Sequence, residues 1–286
     1  MSASADSLFG FVQFEFGFLL GPADGRFLVR TAPGEDPERV LVLGTLGAPE
    51  RRRFKDRKGR QVVEAEPEPV PTNRATVIRA LPFESRKEAA TWLAEVQGHS
   101  ERADAELASA AGVLARALHA HRVAHADPHT RDVSPAQALV ARVGYGDGVA
   151  VADGRFEEAW EMPRARKRTR RSMEAPEERF AALLGAREQV LVCEELVLRV
   201  RADLSAGRAR EAALGARVAL ESVLAELGGE LAPSRREALD SHRAAVGDAA
   251  NAALRGDLNP ELAEALEGVA EDMETALRAR RLDSAS

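Results

Sequence analysis

The stretch that most constrains how this chain can fold is residues 8–31, which holds six of its ten Phe residues. Val12, Phe14, Phe16, Phe18 and Leu20 alternate with Gln13, Glu15 and Gly17, the period-two pattern of a strand with one dry face. GPADG at 21–25 has turn chemistry and RFLVR follows as a return strand, so the pattern predicts a β-hairpin. An aromatic row this dense is unfavourable in water, so a later element must cover it.

Two further strands are expected, RVLVLGTLG at 39–47 and ATVIRAL at 75–81. Between them, residues 48–73 run from basic ERRRFKDRKGRQ to acidic, Pro-rich EAEPEPVPTN, the composition of an exposed loop. Four strands make one antiparallel sheet with a helix on its Phe face. That helix starts at the capping box Ser85 to Glu88, carries Ala89, Trp92, Leu93 and Val96 on one stripe, and ends at Gly98. A longer helix from Ser100 places Ala103, Leu107, Ala110, Leu114, Ala117 and His121 on one face and stops at Asp127-Pro128. In 133–163, the capping box Ser134 to Gln137 predicts a short helix. The glycines of 144–148 and 152–154 predict a glycine loop and then an irregular or extended piece.

The rest reads as helix. Phe180, Leu183 and Leu184 mark a short one, followed by helices over 189–206 and 208–227, the latter with Ala209, Ala212, Ala216, Leu220, Val223 and Leu227 in register. Ser234 to Glu237 caps another that runs to about Arg255, and Asn259-Pro260 opens a last one carrying Leu262, Leu266, Val269, Met273 and Leu277. Short links make such neighbours antiparallel. The expected class is α+β: a small antiparallel sheet domain with its covering helix at 1–98, a helical connector and glycine-rich segment at 99–163, a basic linker at 164–174, and an α-helical bundle at 175–282.

With 45% hydrophobic and 30% charged residues the composition is that of a soluble globular protein. A net charge of −6 argues against a dedicated nucleic-acid-binding protein. Arg outnumbers Lys 36 to 4 and there is a single Ile, a coding-composition signature that lowers the weight of any arginine patch. Cys193, the only cysteine, sits in apolar VLVCEELVL and reads as a buried thiol; one cysteine excludes an internal disulfide and a multi-cysteine zinc site. The N-terminus has no basic leader region and no apolar run long enough to span a bilayer, so a cytoplasmic protein without a membrane partner is expected.

His125, Asp127 and His129 form the one cluster of ligand-type residues. The segment His125-Ala126-Asp127-Pro128-His129 resembles the HADPH catalytic loop of the ubiquinone-biosynthesis type of atypical kinases, which implies phosphoryl transfer served by Asp127. Where that family continues Pro-Gly-Asn this chain has Thr130-Arg131-Asp132, and Ala152-Asp153-Gly154 stands where a metal-binding Asp-Phe-Gly is required. As a metal site the cluster lacks a fourth ligand elsewhere, and the competing reading is a polar helix end. Arg164, Arg166, Lys167, Arg168, Arg170 and Arg171 offer six cations to a polyanion or acidic partner, without interleaved aromatics to stack bases. LSAGRAREAALGARVAL at 204–220 is similar to the centre of a tetratricopeptide hairpin, with Gly207, Ala212 and Ala219 at the small positions, and implies a helical hairpin offering a protein-binding groove. DVSPAQALVARVGYGDG is similar in style to uncharacterised proteins of actinobacterial type, a resemblance that adds no mechanism. The sequence favours a non-enzymatic interaction or scaffolding protein that uses its helical half, with a protein partner or self-association and no cofactor. The alternatives are weak nucleic-acid binding through 164–171, and a metal-dependent or phosphoryl-transfer enzyme using the HADPH segment.

Overall fold

The computed structural model describes residues 7–47, 71–163 and 176–284. The chain divides into two compact units, Met1–Arg166 and Lys167–Ser286. The first is built on a six-stranded sheet, antiparallel throughout: β1 (Leu8–Phe16), β2 (Gly25–Val29), β3 (Arg39–Leu46), β4 (Thr72–Arg79), β5 (Val140–Asp147) and β6 (Glu158–Glu161), in the order β2-β3-β4-β1-β5-β6. The second is helical, so the α+β class holds, with the sheet in the N-terminal half of the sequence and helices in the C-terminal half.

β1 does not form a hairpin with β2, contrary to the turn reading. It pairs with β4 on one side and β5 on the other, and β2 lies at the sheet edge beyond β3. The reason is that β1 is apolar on both faces. Val12, Phe14 and Phe16 point to one side and Phe9 and Phe11 to the other, into two separate clusters, which suits a strand in the middle of the sheet. Residues 17–24 carry the chain across the ends of β4 and β3. Asn73 Oδ1 accepts from the Leu20 amide at 2.6 Å, and Asp24 accepts from the Thr45 amide at 2.9 Å and its hydroxyl at 2.8 Å.

Two helices cover the first face. α1 (Arg86–Gly98) is capped by Ser85, whose Oγ accepts from the Glu88 amide at 3.2 Å, while Glu88 itself accepts from the Glu84 amide at 2.7 Å. α2 (Ser100–His125) ends at Ala126, held in the left-handed region at φ 50°. Trp92, Leu93 and Val96 of α1 and Ala110, Val113, Leu114 and Leu118 of α2 share a core with Phe14 and Phe16. Phe18 lies past the strand end and is 39% exposed.

The segment read as a glycine loop is a strand. Tyr145 points into the helix-covered core and its hydroxyl donates to Glu158 at 2.8 Å, while Gly144 and Gly146 face the other side. A Cβ on Gly144 would run into the Glu158 carbonyl, and one on Gly146 would stand 3.0 Å from Val151. These glycines admit the close approach of β6 and of α3 (Gly148–Ala152), the short helix that covers Phe11 with Val151, Ala152 and the stacked ring of Phe156. The box at Ser134 is present with both hydrogen bonds but opens a single 3₁₀ turn, Pro135–Gln137.

The bundle comprises α4 (Pro176–Leu184), α5 (Val192–Ser205), α6 (Ala209–Leu227), α7 (Pro233–Ser241), α8 (Arg243–Arg255) and α9 (Pro260–Ser284). α6 is its axis: Ala212, Ala213, Ala216, Leu220, Val223 and Leu227 are buried, and the alanines let neighbours approach closely. The expected helix from 234 to 255 is two. It starts at Pro233 with no side-chain cap on Ala232, and breaks at His242, whose ring bonds Asp272 of α9 at 2.7 Å. Asn259 caps α9 through the Leu262 amide at 2.8 Å.

Both tryptophans, Trp92 and Trp160, lie in the first unit, so their fluorescence reports its unfolding alone. Phe16→Ala is expected to destabilise that unit by about 3–5 kcal/mol in a urea titration. Phe18→Ala is expected to cost less than half as much, and equal costs would contradict the placement of the core.

Candidate functional site

The polar end of α2 is the first place to look. The amide of Ala126 donates to the carbonyls of Arg122 and Val123, closing the helix. Asp127 then accepts from the His129 amide at 2.9 Å and from the Thr130 hydroxyl at 3.0 Å, and these two hydrogen bonds hold its carboxyl below the usual range. His125 Nδ1 is 3.0 Å from the carbonyl of His121, one turn back, and the two rings are 4.1 Å apart between centroids. Gly21, at φ 109°, brings the loop after β1 against His121. Every one of these polar contacts is local to the cap. Among the described residues, no three His, Cys, Asp or Glu side chains are grouped to hold a metal ion.

Nor are the pieces of a phosphoryl-transfer site brought together. Asp153, which stands where a kinase carries its metal-binding Asp, lies in the α3–β6 turn on the opposite face of the sheet from α2. There it accepts from Arg26 at 2.9 Å and pairs with Arg155 at 3.3 Å. Arg164, Arg166, Lys167, Arg168, Arg170 and Arg171 lie outside the described residues.

Cys193 is fully buried at the start of α5, and its amide donates to Glu226 of α6 at 3.0 Å. Burial, reinforced by a hydrogen bond to Glu226, pushes its thiol up to about 12. That is the setting of an inert structural thiol.

Two polar constellations escape a reading of the sequence. On the sheet face away from α1 and α2, Gln13 is 1% exposed; its amide donates to Thr76 at 3.0 Å and its carbonyl accepts from Arg142 at 2.9 Å. Arg142 also donates to Glu15 at 2.6 Å. The signal was present in Gln13 and Glu15, polar residues interrupting the most apolar strand, but their partners lie 63 to 129 residues away. Under α1 and α2, Arg79 pairs with Glu106 and stacks over Trp92 at 4.8 Å, and Trp92 Nε1 donates to Glu106 at 3.3 Å. These groups line a void of about 10 Å³, room for one water.

The bundle shows a different kind of surface. Phe180 and Leu184 of α4 are 61% and 73% exposed, and Val190 and Val192 just beyond are 62% and 61% exposed. α4 is nevertheless anchored: Arg179 donates two hydrogen bonds to the buried carboxylate of Glu194, at 2.7 and 2.9 Å, and one to Glu188 at 3.3 Å. A shallow cleft of about 260 Å³ lies between α7 and α9, lined by Ser234, Arg235, Asp272 and Thr275.

A thiol whose pKa is raised by folding favours the native state fully below the ordinary value of 9.0, and that contribution is lost as pH rises towards about 12. At pH 8 an aromatic disulfide reagent is therefore expected to label Cys193 only as fast as the bundle opens, and at once in denaturant. Immediate labelling of the native protein would contradict its burial.

Compared with family models, with curated proteins and with solved structures, the chain finds no match.

Proposed function

We propose that the chain is a non-enzymatic protein-interaction protein, and that the α4 edge of its bundle makes the contact. The observation that carries this reading is the exposed apolar set Phe180, Leu184, Val190 and Val192 within thirteen residues. Isolated exposed apolar residues need no explanation, but four of them on one short anchored segment form the kind of patch that partners cover. The Arg179–Glu194 pair, one guanidinium nitrogen donating to both carboxylate oxygens, supports it further, since it holds α4 by its polar side and leaves its largest apolar side chains facing water.

Charge narrows the partner. Residues 175–286 carry 21 acidic and 14 basic side chains, so an apolar segment flanked by basic residues fits this surface better than a second copy of the bundle. An amphipathic helix with apolar anchors one turn apart is the matching ligand class. A cytoplasmic setting fits this reading; among the described residues no helix is long and apolar enough to cross a membrane.

A photo-crosslinking residue at position 180 is expected to capture one defined protein partner in cells. The purified partner should then bind at least tenfold more weakly to a Phe180→Ser/Leu184→Ser double variant than to wild type. A Leu198→Ser variant, altered at another exposed leucine of the bundle, should bind as wild type. Equal binding by the double variant would overturn the assignment of this edge.

A further inference from the structure

The second face of the sheet holds a cluster that neither the fold nor the proposed protein contact accounts for. Arg26 of β2 and Arg155 of the α3–β6 turn share the carboxylate of Asp153, at 2.9 and 3.3 Å. Arg74 of β4 reaches the same turn from the middle of the sheet. Its guanidinium lies against Gly154, where a Cβ would collide with it, and passes over Gly44 of β3, whose Cβ would stand 3.9 Å from Nη2. Gly154 is at φ 83°, a conformation that suits glycine and shapes the turn around the arginine. Gly154 thus leaves a slot that one guanidinium fills, with Gly44 at ordinary contact distance beside it.

The Arg74 side chain makes no hydrogen bond or ion pair among the described residues. Its cross-strand neighbour Glu15 accepts instead from Arg142 at 2.6 Å. Three guanidinium groups therefore bracket Asp153-Gly154-Arg155 with one carboxylate between them, a local excess of two positive charges. Each guanidinium has five N–H donors in a fixed fork, and one shared carboxylate leaves most of them open.

We propose that Arg74, Arg26 and Arg155 form a binding site for a phosphate group carried by a small soluble molecule. A phosphate monoester carries about −1.5 to −2 at pH 7 and presents three acceptor oxygens, which matches the charge and the donors of the cluster better than a single carboxylate does. Asp153 acts as the positioning residue that aims Arg26 and Arg155 from their separate elements. Arg74 is the central donor, set in place by the glycine slot before any ligand arrives. The site lies in the first unit and is independent of the contact surface proposed for the bundle.

Inorganic pyrophosphate is the probe, titrated at constant ionic strength into the full chain while tryptophan fluorescence follows the melting of the first unit. A saturable rise in melting temperature is expected, growing with the logarithm of ligand concentration. Isothermal titration should give one site per chain. Arg74→Gln should weaken binding at least tenfold, Arg26→Gln and Arg155→Gln at least threefold each, and Arg30→Gln, an exposed arginine off the cluster, not at all. Gly154→Ala, which expels Arg74 from its slot, should lose binding as Arg74→Gln does. Absence of saturation, wild-type affinity in Arg74→Gln, or an equal loss in Arg30→Gln would overturn the proposal. Should Arg74→Gln fail to fold, the 74%-exposed Arg155 side chain still decides the matter, because wild-type affinity in Arg155→Gln overturns it equally.

Discussion

The first unit depends on the double-sided burial of β1. A strand with Phe14 and Phe16 on one face and Phe9 and Phe11 on the other is best covered in the middle of a sheet, where neighbours on both flanks extend the cover of both faces. Once β1 is central, the rest follows from supply. Both of its flanks need antiparallel partners, found in β4 and in the distant β5, and both of its faces need cover. The larger cover is α1 with α2. The smaller is α3, only five residues long, which Gly146 and the stack of Phe156 on Phe11 bring close enough to reach the sheet.

What could be read in the sequence follows from how far each signal extends along the chain. The cap at Ser85, the stripe of α1, the stop after His125, and the periodic faces of α6 and α9 are set by residues within a few turns, and they stand where the sequence places them. Strand order is not such a signal. GPADG marks a reversal, but Asp24 serves it by bonding Thr45, 21 residues on, and the chain continues past β4 and β3 instead of folding back on β1. GYGDG misleads for a related reason. Glycine in a strand looks like a loop locally, and its need appears only when Gly144 is seen facing the β6 backbone.

The same distinction separates the two groups of functional candidates. The histidines and Asp127 at the end of α2 are close in sequence, and sequence closeness accounts for their contacts: an αL cap, an i to i+4 ring contact, and hydrogen bonds that Asp127 accepts from residues two and three positions on. The second-face residues are scattered from Gln13 to Glu161, and register alone assembles them. Arg26, Val42, Thr76, Gln13, Arg142 and Glu161 lie on one line across all six strands. No window of the sequence contains that line.

In a chain with 36 arginines, most arginine contacts carry little information, because an exposed ion pair stabilises by only about 0–1 kcal/mol and water is an adequate partner for a solvated guanidinium. Arg243 with Glu221 and Arg199 with Glu195 are of this kind. The informative arginines are those whose surroundings restrict their choice. Arg179 reaches a carboxylate almost wholly removed from water and fixes α4 to α5 by a two-pronged bond. Arg142 satisfies both a buried amide and a carboxylate beside it. Arg74 is restricted by the room that Gly154 leaves, yet its guanidinium donors meet no acceptor among the described residues. The carboxylate of Asp153 beside it is already shared by Arg26 and Arg155. A turn that leaves room for this guanidinium at Gly154 therefore presents its donors to the anion proposed above.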